Sequence, residues 1–365
     1  MLQLKPYDLL IFGDGKPFNA SQQNFRQGRF FLNPIPVVSA VNKILTFKEN
    51  SEFSESSIEF LAFKKNGEVF FKTPADILKV KNTGEIKFPK LKKLEGEFYS
   101  NLDQDIEYIL DYEEERKTES INEYISLKDL LSYLLKDENK DNNKNDKGKQ
   151  NKKLTFAKLY DVESRVGIAL DRKTRNTKEG FLYFQDFIRF KEDVSLVVKL
   201  KNDKYKEKIK SIEFLTLGGE SKISIVDEDI DYREEFEKEK NKIMEKINET
   251  GFFKIVLLTP TNAIPEIEGA KLILQVSYPV INYSSWINIY KDKRDKYPSR
   301  MFKIIPEGSV FYYKLEDKNN LGEIFNKYWL KPSFFVNEYP FFDKKFPIGF
   351  GLSIILAVNL EGKNE

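Results

Sequence analysis

The apolar stretches of this chain are short and β-prone, and the helical stretches fall between them without regular alternation. That pattern disfavours a doubly wound parallel sheet and predicts an α+β fold. Residues 4–12 read as a strand stopped by the glycine turn at Gly13 and Gly15. Runs at 58–63 and 68–72 flank Asn66-Gly67 and predict a hairpin. Further strands are predicted at 195–200, 212–217, 222–226 and 354–358, with buried ones at 252–259 and 270–276. Another pair lies within 304–315, broken at 306–309. The prolines of Asn33-Pro34-Ile35-Pro36 predict extended chain, after which Ser39 caps a helix with Val41, Ile44 and Leu45 on one face. Helices are also expected at 126–136, capped by Ser126, at 232–249 with a stripe of Phe236, Ile243 and Ile247, and at 321–329.

The length, 365 residues, suits two domains or one large one. A hydrophobic content of 40%, with 31 Phe and 18 Tyr, is enough for a core. Histidine and cysteine are both absent. That excludes Ser–His–Asp and Cys–His catalysis, Cys/His zinc sites, disulfides and thiol redox chemistry. The net charge is only +2, so any polyanion site must be a local patch. Residues 136–153 contain no apolar side chain and are expected to form a disordered insertion. No apolar run reaches the roughly 18 residues of a membrane span, and the first residues lack a signal-peptide pattern, so a soluble cytoplasmic protein is expected.

Residues 165–190 are the most informative segment. Four of the ten arginines fall there. Between Arg165 and Gly180, Arg165, Arg172, Lys173, Arg175 and Lys178 face only Asp171 and Glu179, a local excess of +3. Apolar runs flank this basic centre, predicting a β-hairpin with a basic tip suited to phosphate or single strands. The alternative is a solvated loop. Glycine turns recur at 13–15, at Gly218-Gly219 and at Gly349-Phe350-Gly351. Each either lets backbone approach a ligand or simply turns the chain. Gly13-Asp14-Gly15-Lys16 lacks the spacing of a nucleotide phosphate loop. The acidic run 227–231 leads into a surface helix and predicts no metal site. Around Arg300, Met301, Phe302 and Lys303, basic and aromatic side chains interleave as in RNA-binding segments, or as at an ordinary strand edge.

The blocks RVGIALDRKTRNTKEGFLYF, LTLGGESK, IIPEGSVFYY, PIGFGLSIIL, LLIFGDGKPF and NPIPVVSAVNKIL together resemble one family. It is the RAMP-superfamily subunit of type III-B (Cmr) CRISPR effector complexes that holds the crRNA 5′ end. The resemblance runs from residue 9 to about 356 and is loose over 46–155. It implies two packed ferredoxin-like (RRM-like) units, divided as 1–200 and 201–365, with 165–190 as a projecting thumb and 347–351 as a glycine-rich loop near RNA. It also implies a non-catalytic, cofactor-free protein that anchors the crRNA 5′ tag. The expected partners are the large polymerase/cyclase-like subunit, the backbone subunits and target RNA near the tag. The RNA contacts implied are Gly13, Lys16, Ser39, Asn42 and Lys43 toward the N-terminus, then the thumb residues Arg165, Arg172, Lys173, Thr174, Arg175 and Lys178. In the C-terminal part they are Gly218, Gly219, Arg300, Met301, Lys303, Gly349, Phe350 and Gly351. Two competing readings remain. One is a metal-independent endoribonuclease of the same superfamily, with Lys16 or Tyr160 replacing the missing histidine. The other is a scaffold that touches proteins only.

Overall fold

A computed structural model describes residues 1–12, 25–26, 32–49, 58–95, 106–134, 154–201, 211–284, 286–287, 297–298, 301–333 and 349–361. The expected disordered insertion at 136–153 lies outside them. The chain starts with β1 (Leu2–Pro6), α1 (Pro34–Glu49) and the hairpin β2 (Ile58–Lys65) and β3 (Glu68–Lys72). Next come β4 (Tyr124–Ser126), α2 (Leu127–Leu134), β5 (Phe156–Ala157) and a long hairpin, β6 (Tyr160–Leu170) and β7 (Thr177–Phe190). Then follow β8 (Val194–Leu200), β9 (Phe214–Thr216), β10 (Ile223–Glu228) and α3 (Arg233–Thr250). The main later elements are β11 (Phe252–Leu257), β12 (Ala270–Val276), β13 (Ile281–Tyr283), β14 (Phe302–Ile304), β15 (Val310–Leu315), α4 (Leu321–Tyr328) and β16 (Ser353–Ala357).

The fold is α+β with mostly antiparallel sheets. The first sheet has the order β5-β4-β3-β2-β8-β1-β10-β9, and the second β12-β15-β11-β16. Both contain the same antiparallel arrangement. In the first, β1 lies between β8 and β10, with β2 outside β8; in the second, β11 lies between β15 and β16, with β12 outside β15. Thus the first strand of each set sits between the third and fourth. Everything from β3 to β7 is inserted between the second and third strands of the first set. β9 and β10, which follow residue 200, pair into the first sheet, so that sheet takes strands from both sides of the 200/201 position.

Local chemistry explains most elements. Asn66 and Gly67 have φ of 50° and 77°, the left-handed pair that a two-residue hairpin turn requires. In α3 the buried stripe is Phe236, Ile243 and Ile247, and Gly251 caps the end at φ 77° by donating its N–H to Ile247. Three expectations need correction. Pro34 and Pro36 start α1 rather than extending the chain. First-turn residues have no intrahelical acceptor for their N–H groups, so proline loses nothing there. Asn33 is the cap, its side-chain oxygen accepting from the Ile35 N–H at 3.1 Å, while Ser39 lies exposed inside the helix. Ser126, by contrast, does stand directly ahead of α2, at the end of β4, and its hydroxyl donates to Glu68 at 2.8 Å. Finally, β12 is an edge strand with Lys271, Leu272 and Gln275 exposed, not a buried one.

The 4–12 segment is also not one strand. It leaves the first sheet after Pro6, and Leu10 then exchanges backbone hydrogen bonds with Ile188 at the base of the long hairpin. One hydrophobic core runs through both sheets. Two buried carboxyl groups sit where the insertion meets the second sheet. Asp76 accepts from Lys254 and from the Tyr312 hydroxyl, both at 2.5 Å, while its other oxygen has no partner among the described residues. Glu307 lies in the turn before β15, where its own backbone N–H, Lys72 and the Leu32 N–H favour its charged form. Its second oxygen is buried without a partner among the described residues, and burial pushes its carboxyl up to about 7.

Candidate nucleic-acid interface

The 165–190 segment is an antiparallel hairpin in register from Tyr160↔Phe190 to Ile168↔Leu182, closing through Leu170↔Thr177. Its tip is an ordered turn. The Asp171 side chain accepts N–H bonds from Lys173 at 2.8 Å and Thr174 at 3.0 Å, and its carbonyl accepts from Arg175. Arg175 is left-handed at φ 58°. Arg172, Lys173, Thr174 and Arg175 are all exposed. Among the described residues no ion pair engages the three cations. Arg165 and Arg189, by contrast, share Glu163 at 2.7 and 2.9 Å and hold its carboxyl below the usual range. The side chain of Lys178 lies outside the described set.

At the hairpin base, Phe187 is 7% exposed and lies between two cations. The Arg165 guanidinium is 5.0 Å and the Lys222 ammonium 5.6 Å from its ring centroid. Further out, Tyr183 lies over Gly167, where a Cβ would come 2.1 Å from the ring. Neither Phe187, Lys222 nor Gly167 was singled out from sequence, although the Gly167↔Tyr183 pairing follows once the hairpin register is known. Gly167→Ala is therefore expected to displace the Tyr183 ring while the hairpin persists, seen as a change in that ring's NMR shifts.

The Gly218-Gly219 turn joins this base. Gly219 donates its N–H to Ile11 at 2.8 Å. At Gly218, with φ 77°, a Cβ would lie 2.4 Å from the Ile11 carbonyl oxygen. Lys43, on α1, donates to Thr216 at 3.3 Å. The structure thus brings Arg165, Lys43, Gly218 and Gly219 to one end of the first sheet. Gly13 and Lys16 lie outside the described residues, and the chain enters them from Phe12, beside Gly218.

The third glycine turn sits elsewhere, against the start of α1. Gly349 has φ 111°, and a Cβ there would meet Ile58 at 2.9 Å and Pro34 at 3.0 Å. The Thr259 hydroxyl donates to the Gly349 carbonyl, and Gly351 donates to Pro260. These glycines allow close protein packing. The Phe350 ring is fully buried with Ile35, Tyr283 and Ile304, which corrects its assignment as an RNA contact: no face is left for a base. Gly349→Ala is expected to cost on the order of 1–3 kcal/mol through left-handed strain and overpacking, read as a lower melting temperature. Met301 and Lys303 are exposed on and beside β14, next to this cluster. Arg300 and the Asn42 side chain are outside the described residues.

Within the acidic run 227–231, Asp229 and Asp231 are held by structural ion pairs. Asp229 accepts from Lys64 at 2.6 Å. Burial opposes the charge on Asp231, but hydrogen bonds from Arg233 and Lys199 outweigh it and hold that carboxyl well below its usual range. No group of three metal-binding side chains occurs among the described residues, and no described helix is long and apolar enough to cross a membrane.

The family profile described as CRISPR-associated protein (Cas_Cmr3) matches residues 2–357. A curated relative, the CRISPR system CMR subunit Cmr3 of Saccharolobus solfataricus, is 28% identical over 182 residues. That alignment spans 47% of this chain and only 53% of the relative. Among solved structures, a chain of a type III-B Cmr-beta complex bound to cognate target RNA and AMPPnP covers 89% of this chain and 88% of its own length, at 18% identity and TM-score 0.46. A chain of the complex bound to cognate target RNA alone covers 85% of this chain and 86% of its own length, at 17% identity and TM-score 0.47.

Proposed function

Because the chain belongs to the Cas_Cmr3 family of CRISPR-associated proteins, we propose that it is a non-catalytic RNA-binding subunit of a type III-B ribonucleoprotein. In this reading it anchors the 5′ tag of crRNA and docks the large polymerase/cyclase-like subunit in antiviral defence. The shared strand order of the two sheets supports reading each as a ferredoxin-like unit. The observation that carries the RNA reading is the hairpin tip, where Arg172, Lys173 and Arg175 project with no acidic partner among the described residues. Charge on a nominally neutral chain is concentrated there, whereas at the base Arg165 pairs with Glu163 and Lys222 with Glu220.

The endoribonuclease reading is weaker. Burial pushes the Tyr160 hydroxyl above its ordinary range, so it does not ionise at neutral pH to act as a base. The test is a tag-bearing RNA titrated against the wild type and Arg172→Ala/Arg175→Ala. At moderate salt the double variant is expected to bind at least about tenfold more weakly, with a salt slope reduced by about one per lost phosphate contact. Equal affinity would remove the tip from the RNA path, and metal-free cleavage of that RNA would favour the nuclease. Arg175→Gly separates binding from folding. Glycine suits φ 58°, so stability is expected to hold or rise while affinity falls.

A further inference from the structure

The outer face of β1, β9 and β10 carries a contiguous apolar patch. Phe214 pairs directly with Ile225, which pairs on its other side with Lys5. In the next row Thr216 pairs with Ile223, and the Tyr7 N–H donates to the Ile223 carbonyl. Strand periodicity puts these side chains on one face, opposite the buried Leu4, Leu215 and Val226. They are open: Tyr7 is 78% exposed, Phe214 58%, Ile223 46% and Ile225 37%. Neighbouring exposed apolar side chains forming a patch of this kind mark an interaction site, whereas scattered ones do not.

The rim selects the class of occupant. Asp8, Glu213 and Asp227 are exposed and stand in no ion pair among the described residues, against Lys5 and the Thr216-bound Lys43. Lys222 and Glu220 lie 3.9 Å apart and offset one another. An acidic rim repels phosphate, so the exposed rings of Tyr7 and Phe214 are poorly placed to stack on nucleic-acid bases. The same rim attracts a protein surface that presents apolar side chains between lysines or arginines.

We infer that the apolar face formed by Tyr7, Phe214, Ile223 and Ile225 docks a partner protein whose contact surface is apolar and basic. The inference rests on the chain working within a multisubunit assembly and is independent of where RNA runs over the thumb. The test uses the full chain, co-expressed with the other subunits of a type III-B complex. Tyr7→Asp/Phe214→Asp is compared with the wild type for subunit retention and, separately, for affinity to tag-bearing RNA. The charge-swap variant Glu213→Lys/Asp227→Lys serves as the second probe, because it leaves the apolar side chains intact.

The expected result is that both variants melt like the wild type and bind one protein subunit at least tenfold more weakly, with RNA affinity within twofold. Retention of every subunit by both variants would overturn the inference. So would a loss confined to RNA affinity, which would make the face a nucleic-acid surface. A wild-type dimer dissolved by the same substitutions would assign the face to a second copy and overturn it too. Should the Asp variant misfold, the charge swap alone decides. A wild type that joins none of the subunits would instead sink the functional reading, and with it the premise of this docking face.

Discussion

Asp76→Ala is expected to destabilise the protein by about 3–5 kcal/mol, because it strands the Lys254 ammonium in the interior. Lys254 is 4% exposed, and its salt bridge among the described residues is to Asp76. The Tyr312 hydroxyl, 1% exposed, loses the same acceptor. Breaking a buried pair from one side costs more than removing both charges, so Asp76→Ala/Lys254→Met should recover a large part of the loss. Urea unfolding of the wild type, both single variants and the double variant measures this. Single and double variants that lose stability additively would show that the two side chains do not act as a pair. The effect also has a location. Asp76 belongs to the insertion between β2 and β8, whereas Lys254 and Tyr312 stand on β11 and β15 of the second sheet. Thus the single variant is expected to loosen the joint between them, read as faster hydrogen exchange at Ala75, which donates to Gly308 across it.

The second large effect is pH-dependent. Burial raises the folded Glu307 carboxyl to about 7, above its ordinary 4.5, while Lys72 opposes the shift. A raised carboxyl binds a proton more tightly in the folded state. Its contribution is therefore fully present below about pH 4.5, falls as pH rises, and is lost above about 7. The span corresponds to something on the order of 3 kcal/mol. Glu307→Gln carries no ionisable proton and should be insensitive to this titration. The variant is expected to match the wild type near pH 5 and exceed it in stability at pH 8. The other groups influencing this site, Tyr124, Tyr160 and Tyr278, are themselves pushed above their ordinary range and stay neutral throughout. Lys72 is lowered by its own burial. Denaturation midpoints at pH 5 and 8 decide the matter, and parallel pH profiles for wild type and variant would refute the assignment.

Short-range features were legible in the chain alone. Asn66-Gly67 forms its hairpin because only a few residue types accept two successive left-handed positions. Phe236, Ile243 and Ile247 recur at helical spacing, and α3 buries those three. The apolar, β-prone runs on either side of Arg172–Arg175 pair as the expected long hairpin. The absence of histidine and cysteine by itself removes whole classes of chemistry. Apart from that composition, these properties depend on residues near one another in the chain.

What the tertiary structure decided depends on residues far apart. Proline disfavours a helix only where an N–H is needed, and it took the start of α1 at Asn33 to show that none was needed at Pro34 or Pro36. β10 belongs to the first sheet because it pairs with β1, a partner more than two hundred residues earlier, and no local pattern in the chain announces that pairing. A glycine in sequence signals only permitted backbone angles and free space. Whether a ligand or the protein itself fills that space is a matter of packing: Ile11 occupies it at Gly218, and Ile58 and Pro34 at Gly349. Phe350 reads as one more exposed aromatic of a loop until Ile35, Tyr283 and Ile304 close around it. Phe187 gains its meaning from Arg165 across the hairpin and Lys222 from another sheet, which meet only because the chain crosses from β1 to the hairpin base at Leu10.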